Sequence, residues 1–313
     1  MLLYLLRRLL AAVPVIAIVA FVVFSLLHLA PGDPAAMIAG DHATPEEVAM
    51  VRETLGLDRA FLPRFLDWLG QLAQGDLGTS IFTSLPVSTM IGQRIGPTLA
   101  LMTVALAITL SLSIPLSVLS ARRPGGLLDR VLMGFAVLSY SLPVFLTGYL
   151  LAYFVSLKTG LLPVQGYVPP EEGLGLFLAH LLLPGLALSG AYFALIARTG
   201  RAAMLEVLRQ DYIRTGRAKG LGAVPLLFHH ALKNAAIPIA TVVGMGVASL
   251  ISGAVVTESI FTIPGLGRLT AEAVLRRDYP VIQAMVLLFS VIYLVVNLVV
   301  DLVYGLLDPR IRL

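Results

Sequence analysis

The chain has 313 residues, of which 58% are hydrophobic and 13% are charged, with a formal net charge of +4 and a mean hydropathy of +0.91. Soluble domains carry roughly a quarter of charged residues, so this composition excludes an ordinary soluble globular protein. The sequence has no cysteine, which excludes disulfide bonds and thiolate metal sites.

Six stretches of the sequence contain no Asp, Glu, Lys or Arg. Each reaches the ~20 residues that a helix needs to cross ~30 Å of hydrocarbon. A charged side chain at the centre of a membrane helix costs roughly 2.5–3.5 kcal/mol, so stretches free of charge are typical of membrane spans. The sequence therefore predicts an all-α integral membrane protein with six transmembrane helices. The stretches are Leu9–Ala30, Pro97–Ala121, Val131–Leu157, Leu174–Ala197, Ala235–Thr257 and Val281–Val300.

The first stretch follows Arg7 and Arg8, as the apolar part of a secretory signal peptide would. It is longer than the ~7–15 apolar residues typical of such peptides, and no small-x-small cleavage site follows it. We therefore expect a retained membrane anchor.

The loop from Pro31 to Gly96 is too long to be a simple connection and shows local order. Thr44-Pro-Glu-Glu47 predicts a helix start with a capping box. Leu62 to Leu72 predicts a second, amphipathic helix, and Gly75-Asp-Leu-Gly-Thr-Ser80 predicts a turn. The loop is either a small folded cap on the outer membrane surface or a docking face for an external partner.

The basic residues are distributed unevenly between the two sides of the membrane. With six spans both termini share one side, and 14 of the 22 Lys and Arg fall on it. Four of the others lie in the long first loop, where charge has little influence on topology. Both termini are therefore predicted to be cytoplasmic. The net positive charge then follows from membrane orientation and does not indicate nucleic-acid binding.

A basic loop follows the fourth span, from Arg198 to Lys233. Met204 to Arg209 is predicted to continue the fourth helix, and Asp211 to Lys219 is predicted to form a short helix with Asp211 at its positive end. Gly220 and Gly222 are predicted to end this helix and turn the chain. Cytoplasmic positive charge explains the arginines, whereas a short rod bounded by glycines favours a role in force transfer.

Small residues within the fifth span indicate either close helix packing or the lining of a transport pathway. They are Gly244, Gly246, Ser249, Ser252 and Gly253. After this span, Glu258 to Arg268 predicts a re-entrant or surface turn, followed by a short helix over Leu269–Arg277 on the outer side.

Several kinds of chemistry find no support in the sequence. No Gly-x-x-x-x-Gly-Lys-Ser/Thr phosphate loop and no His-Glu-x-x-His zinc motif is present, and we expect no cofactor, metal or catalytic site. The spans carry almost no charge, which disfavours an ion-coupled carrier. A self-contained carrier or channel and an intramembrane protease are the alternatives to a passive subunit driven by others.

Four motifs, in order along the chain, carry a resemblance to a known family. Asp211-Tyr-Ile-Arg-Thr-Gly-Arg-Ala-Lys-Gly-Leu-Gly222, with His230 to Pro238 after it, resembles the cytoplasmic "EAA" coupling loop of binding-protein-dependent ABC importer permeases. The other three resemble the dipeptide/oligopeptide/nickel branch of that family, in its first permease type. They are Tyr4–Leu9 with Leu29–Pro34, Gly75–Ser80, and Phe261–Arg268 with Arg277–Gln283.

This resemblance covers essentially the whole chain and implies a type I ABC importer permease-like core in a bacterial inner membrane. It implies a heterodimer with a second, similar permease, two cytoplasmic ATPases docked on the coupling loops, and an extracytoplasmic solute-binding protein. ATP hydrolysis would belong to the ATPases, and membrane lipid would be the surroundings. Di- or oligopeptides are the expected cargo, with nickel chelates and glutathione as alternatives.

The resemblance also assigns residues. An anchor and external region is expected over residues 1–96 and a five-helix core over 97–313, with the coupling loop at 198–235. Gly216 stands where the family has an alanine, and Arg214 where the general motif has a glutamate. The expected pathway-lining residues are Gly244, Ser249 and Ser252. The expected ATPase-coupling residues are Asp211, Tyr212, Arg214, Thr215, Gly216, Arg217, Ala218, Lys219, Gly220, Leu221 and Gly222.

Overall fold

A computed structural model describes residues 2–29, 34–40, 43–54 and 56–307 of the chain. Within these ranges the backbone forms helices, turns and one isolated β-bridge, between Thr79 and Pro86. The helices are α1 (Leu2–Leu29), α2 (Pro34–Ala39), α3 (Pro45–Thr54), α4 (Phe61–Ala73), α5 (Val87–Arg122), α6 (Leu127–Ser141), α7 (Val144–Leu151), α8 (Leu174–Val207), α9 (Asp211–Ala218), α10 (Ala223–Pro225), α11 (Leu232–Ile260), α12 (Leu266–Arg276) and α13 (Tyr279–Leu307).

Four helical segments in the described residues are long and apolar enough to cross a membrane. They are Val87–Arg122, Leu174–Val207, Ala223–Ile260 and Tyr279–Val303. The third joins α10 to α11 through a π-helical segment, Leu226–Ala231. Helix α1 has 28 residues, but the apolar stretch found in it, Leu10–Ser25, is shorter than 18 residues. These segments make the chain a multi-pass membrane protein.

The third predicted span, Val131–Leu157, is divided into two helical segments, so a single helix there is not confirmed. Helix α6 ends at Ser141, and the next helical segment, Val144–Leu157, is bent by 105° from it. Leu142 has an extended backbone, with φ −83° and ψ 125°. The ring of Pro143 disfavours a helical conformation at the preceding residue, and Pro143 supplies no N–H donor, so both effects favour a break here. The pair counts as a fifth span if it crosses the membrane as one unit.

Two helices extend beyond their charge-free cores. Helix α5 begins ten residues before Pro97, at Val87, and α8 continues past Ala197 to Val207. Charged and polar side chains such as Arg94 and Arg201 are compatible with a helix once it leaves the hydrocarbon. The absence of charge therefore marks the membrane-embedded part of a helix and not its ends.

Backbone contacts divide the chain into two compact units. The first comprises Met1–Arg94 and Leu269–Leu294, and the second comprises Ile95–Arg268 and Val295–Leu313. The division falls within α5, α12 and α13.

The first unit contains the predicted external helices. In α3 the capping box is confirmed, because the Thr44 N–H donates to Glu47 Oε2 at 2.8 Å and the Glu47 N–H donates to Thr44 Oγ1 at 3.3 Å. The predicted second helix is confirmed as α4, which packs on α1 through an aromatic cluster. The rings of this cluster are Phe21, Phe24, Phe61, Phe65 and Trp68.

Two of the four family-like motifs meet within the first unit. The hydroxyl of Ser80 donates to Asp278 Oδ2 at 2.5 Å, and the Ile81 N–H donates to Asp278 Oδ1 at 3.3 Å. Both Ser80 and Asp278 are buried. The turn after α4 is thereby fixed to the residue that precedes α13.

The second unit is organised around α8, which packs against α6, α7 and α11. One apolar cluster joins α5, α8 and α11 and includes Leu101, Leu188 and Leu250. A second cluster lies at the other end of the same helices and includes Val118, Ile196 and Met204. The second cluster positions the candidate functional site.

Candidate functional site

The predicted short helix in the basic loop is confirmed as α9, Asp211–Ala218. Gln210 precedes it with an extended backbone, φ −69° and ψ 149°, and makes no side-chain cap. Its carbonyl accepts from the N–H of Ile213 at 3.1 Å. Asp211 supplies a negative charge in the first turn, where the helix dipole favours it. The prediction that the fourth span continues beyond the membrane is also confirmed, as far as Val207.

The end of α9 depends on one glycine. The Gly220 N–H donates to the Arg217 carbonyl at 3.0 Å, and the Leu221 N–H donates to the Gly216 carbonyl at 3.2 Å. This pair of bonds is the Schellman arrangement, and it places Gly220 at φ +79°. Gly220 therefore ends the helix as predicted. Gly222 has φ −60° and precedes α10, so its backbone does not require glycine.

Helix α9 is held to the second unit by a single buried side chain. Ile213 is fully buried in the second apolar cluster, together with Met204, Leu226, Leu227 and Ala231. At Gly216, a Cβ would lie 3.0 Å from Leu226 Cδ1 and 3.3 Å from Leu221 Cδ1. Helix α9 therefore packs closely against the segment that leads into α11, and a force on α9 acts directly on that segment.

Apart from Ile213 and the half-buried Gly216, the residues of α9 are exposed and most are polar. Its exposed residues are Asp211, Tyr212, Arg214, Thr215, Arg217, Ala218 and Lys219. Arg214 donates to Asp211 Oδ1 at 3.2 Å, and both side chains are largely exposed. Such a pair contributes little to stability. The exposed face is consequently available for contact with another protein.

Tyr212 is an aromatic member of this exposed face, with 44% of its surface accessible. Desolvation raises the pKa of its hydroxyl, and a side-chain hydrogen bond with Asn234 opposes this effect. Tyr212 thus adds a neutral hydrogen-bonding group to the charged residues of this surface.

The three predicted pathway residues do not form one site. Gly244 is buried, and a Cβ there would lie 2.3 Å from Val300 Cγ2, which makes it a close contact between α11 and α13. Ser249 and Ser252 are exposed, on the same face of α11 as Met245 and Val256. The hydroxyl of Ser249 donates to the Met245 carbonyl at 3.1 Å. A role in lining a pathway stays a prediction for all three residues.

A buried ion pair next to this site was not predicted from the sequence. Asp129, at the start of α6, accepts two hydrogen bonds from the Arg201 guanidinium of α8, with 2.8 Å between Nη2 and Oδ2. The Ser120 hydroxyl and the Gly125 N–H donate to the same carboxylate at 2.8 and 2.7 Å. The Asp129 side chain is 5% exposed. The pair thus ties the α5–α6 turn to α8.

A second missed feature is a buried carboxylate that explains the motif after α11. Glu258 is fully buried, and it accepts from the Thr98 hydroxyl at 2.6 Å and from the Arg268 N–H at 2.9 Å. A Cβ at Gly265 would lie 2.2 Å from Glu258 Cδ, and one at Gly267 would lie 2.5 Å from Val255 Cα. Glycine is therefore required at both positions, because a side chain there would overlap Glu258 or the backbone of Val255. The predicted short helix begins here, as α12 at Leu266.

The geometry of α9 suits docking better than catalysis. In the part of the chain that the structure describes, no group of three or more His, Cys, Asp or Glu side chains could hold a metal ion. The α9 surface presents a compact set of cationic and hydrogen-bonding groups on a helix fixed at its base.

Comparison with known proteins gives matches over the whole chain. Residues 113–313 match the family model described as the binding-protein-dependent transport system inner membrane component, and residues 1–113 match its N-terminal companion. A probable peptide ABC transporter permease protein, y4tP of Sinorhizobium fredii, is 47% identical over 99% of both chains. The dipeptide transport system permease protein DppB of Escherichia coli K12 is 38% identical over 100% of this chain and 99% of its own. The glutathione transport system permease protein GsiC of Salmonella choleraesuis is 42% identical with the same coverage.

Proposed function

Since the chain belongs to the family of binding-protein-dependent transport system inner membrane components, we propose that it is a permease subunit of an ATP-driven importer of di- or oligopeptides. The chain would form the membrane passage and would not itself be a catalyst. The observation that carries this proposal is α9, a compact helix with one buried anchor, Ile213, and a polar outer face.

The proposed assembly contains three kinds of partner. A second, homologous permease completes the passage, two cytoplasmic ATPases dock on the α9 helices of the two permeases, and an external solute-binding protein delivers the peptide. This assembly requires α9 to lie in the cytosol. We therefore retain six spans with both termini cytoplasmic, the first and third spans being α1 and the bent α6–α7 pair.

The contacts around α9 support a route for force from an ATPase to the membrane helices. Ile213 shares its apolar cluster with Val118 of α5, Ile196 of α8 and Ala235 of α11. The side chains around Ile213 are close-packed, so a displacement of α9 is transmitted through them to these helices. The buried pair between Asp129 and Arg201 extends the same rigid body to α6. ATP binding would then rock these helices between inward- and outward-facing arrangements.

The nature of the cargo is supported by relatives at similar distance from the chain. Two are named for peptides or dipeptides and one for glutathione, itself a small peptide. Peptides are the common chemistry, so we propose a peptide importer with glutathione as the second candidate. Nickel chelates remain the third, from the sequence resemblance alone.

Reversing the two exposed basic charges that flank α9's outer face tests the docking assignment. Arg214→Glu with Lys219→Glu should reduce peptide uptake at least tenfold in cells that express the whole importer, with normal membrane insertion. The matched control is Arg123→Glu, because Arg123 is also an exposed basic residue but lies outside α9. Unchanged uptake in the double variant would contradict the assignment. Ion-driven accumulation of peptide by the subunit alone in liposomes would contradict the proposed function as a whole.

A further inference from the structure

A cavity of about 550 Å³ lies behind α9, and only two of its lining residues, Arg217 and Leu221, belong to the expected ATPase-coupling set. It is bounded by the ends of two membrane helices, α5 at Ala121 and Arg122 and α8 at Leu205 and Leu208, and by Arg217 on α9. Ala121 ends the charge-free stretch of α5, whereas α8 has already continued past its own charge-free stretch, which ends at Ala197. The cavity therefore lies where α5 leaves the hydrocarbon and meets the aqueous phase.

Three arginines line the cavity, one from each of three separate segments. Arg122 ends α5, Arg209 follows α8, and Arg217 lies on α9. No acidic residue lines the cavity, and among the described residues none of the three pairs with a carboxylate. Asp129 is paired with Arg201 and Asp211 with Arg214, and Glu206 is exposed and does not line the cavity. Three positive charges around one cavity repel one another and favour an anion.

The remainder of the lining is apolar. It consists of Ala121, Pro124, Leu205, Leu208, Leu221, Ala223, Leu226 and Leu227. A free inorganic anion would use the arginines and leave this leucine surface in contact with water. An amphiphile with an anionic group and a hydrocarbon portion matches both parts of the lining.

The position of Arg217 separates the cavity from the docking face of α9. Arg217 follows Ile213 by four residues, so the two side chains lie on the same side of the helix. Ile213 is the buried anchor, and Arg217 therefore borders the inward side of α9. A ligand in the cavity is reached from the membrane surface, whereas a docked ATPase would contact the opposite, outer side.

We propose that this cavity binds the headgroup of an anionic phospholipid. The phosphate lies among Arg122, Arg209 and Arg217, and the glycerol and the first part of an acyl chain lie on the leucine surface. The bound lipid links α9 to the ends of α5 and α8 at the membrane surface. This binding requires only that α5 leaves the bilayer beside the cavity, so it stands independently of the cargo.

Lipid binding by the purified full chain tests the proposal. Native mass spectrometry compares phosphatidylglycerol with the zwitterionic phosphatidylethanolamine in wild type and in Arg122→Gln with Arg209→Gln. Each basic residue near a membrane surface contributes roughly fivefold to anionic lipid affinity, so the double variant should bind phosphatidylglycerol about 25-fold more weakly. Phosphatidylethanolamine binding should be weak and equal in both proteins. Arg217 is left intact because it also belongs to α9.

Arg123→Gln provides the matched control, since Arg123 neighbours Arg122 in the chain but does not line the cavity. It should retain wild-type affinity for phosphatidylglycerol.

Equal phosphatidylglycerol binding in wild type and the double variant would overturn the proposal. Glycerol 3-phosphate that binds with the same affinity as phosphatidylglycerol would also overturn the proposal, because it would indicate a site for a free phosphate compound. Displacement of the lipid on assembly with the ATPases would assign the cavity to the ATPases. If the purified chain binds the lipid but cells that express the whole importer take up no peptide, only the proposed function is rejected.

Discussion

Asp129 and Arg201 are 72 positions apart in the sequence, yet they form a two-point ion pair in which the carboxylate is almost completely buried. Ser120 and Gly125 donate to the remaining carboxylate positions. Each oxygen of Asp129 therefore has two donors. A buried carboxylate satisfied in this way is a fixed point between the α5–α6 turn and α8.

Removing the cation from this pair should be costly. Arg201→Gln leaves Asp129 buried without its charge partner, and we expect a loss of about 3 kcal/mol in the free energy of unfolding. Denaturant unfolding of the purified protein in detergent measures this loss. Arg198→Gln, an exposed change one turn earlier on α8, should alter the free energy of unfolding by less than 0.5 kcal/mol, as surface substitutions usually do.

The double variant Asp129→Asn with Arg201→Gln distinguishes the interaction between the two side chains from the effect of losing the arginine alone. Neutral side chains in both positions avoid an unpaired buried charge, so this protein should be more stable than Arg201→Gln alone. Equal destabilisation of the single and double variants would show that the two side chains are not coupled.

Glycine is required at position 267 because of backbone proximity. In Gly267→Ala the new methyl group would lie 2.5 Å from Val255 Cα, which cannot move without shifting α11. We expect destabilisation of about 2–3 kcal/mol, measured by thermal or denaturant unfolding. Gly134→Ala is the control, because a Cβ at that helical position meets no atom within 4 Å. Alanine there should be neutral or slightly stabilising, since it is the better helix former. Equal stability of the two variants would show that α12 does not approach α11 as closely as described.

The Schellman end of α9 predicts a graded response at position 220. Valine at φ +79° is strained by about 1–3 kcal/mol, so Gly220→Val should unwind the last turn and abolish peptide uptake. Asparagine tolerates this region better than other non-glycine residues, so Gly220→Asn should retain a larger share of uptake. Uptake assays with membrane insertion checked by immunoblot distinguish the two. Uptake in the valine variant equal to that in the asparagine variant would show that the left-handed conformation is not needed.

The contribution of the capping box to the stability of α3 can be measured by hydrogen exchange of the α3 amides. Thr44→Ala removes the acceptor for the Glu47 N–H and should weaken α3 by about 1 kcal/mol. Hydrogen exchange of the α3 amides should then be about fivefold faster, while exchange in α4 stays unchanged. Glu46→Gln is the control, because Glu46 lies in the same first turn but has no part in the box. Equal exchange rates in α3 of Thr44→Ala and wild type would contradict the role of the cap.

The positions of proline residues do not by themselves predict where a membrane helix breaks. Pro97, Pro115, Pro184 and Pro238 all lie inside continuous helices, whereas Pro143 follows a break of the third span. The residue alone does not distinguish these cases. Neighbouring helices decide whether the backbone groups freed by a proline are satisfied within the helix or the helix ends.

The sequence by itself determined the elements whose cause is local: the apolar helices, the Thr44 cap, α9 and its end at Gly220. These depend on side chains within a few residues of one another, where spacing along the chain equals proximity in space. The tertiary structure alone decided that Asp129 meets Arg201, that Glu258 lies under Gly265 and Gly267, and that three arginines surround one cavity behind α9. Asp129 and Arg201 are 72 positions apart, and Glu258 meets the two glycines, fewer than ten positions away, only because the chain turns back on itself. The energy of such contacts comes from burial and packing that no local pattern encodes.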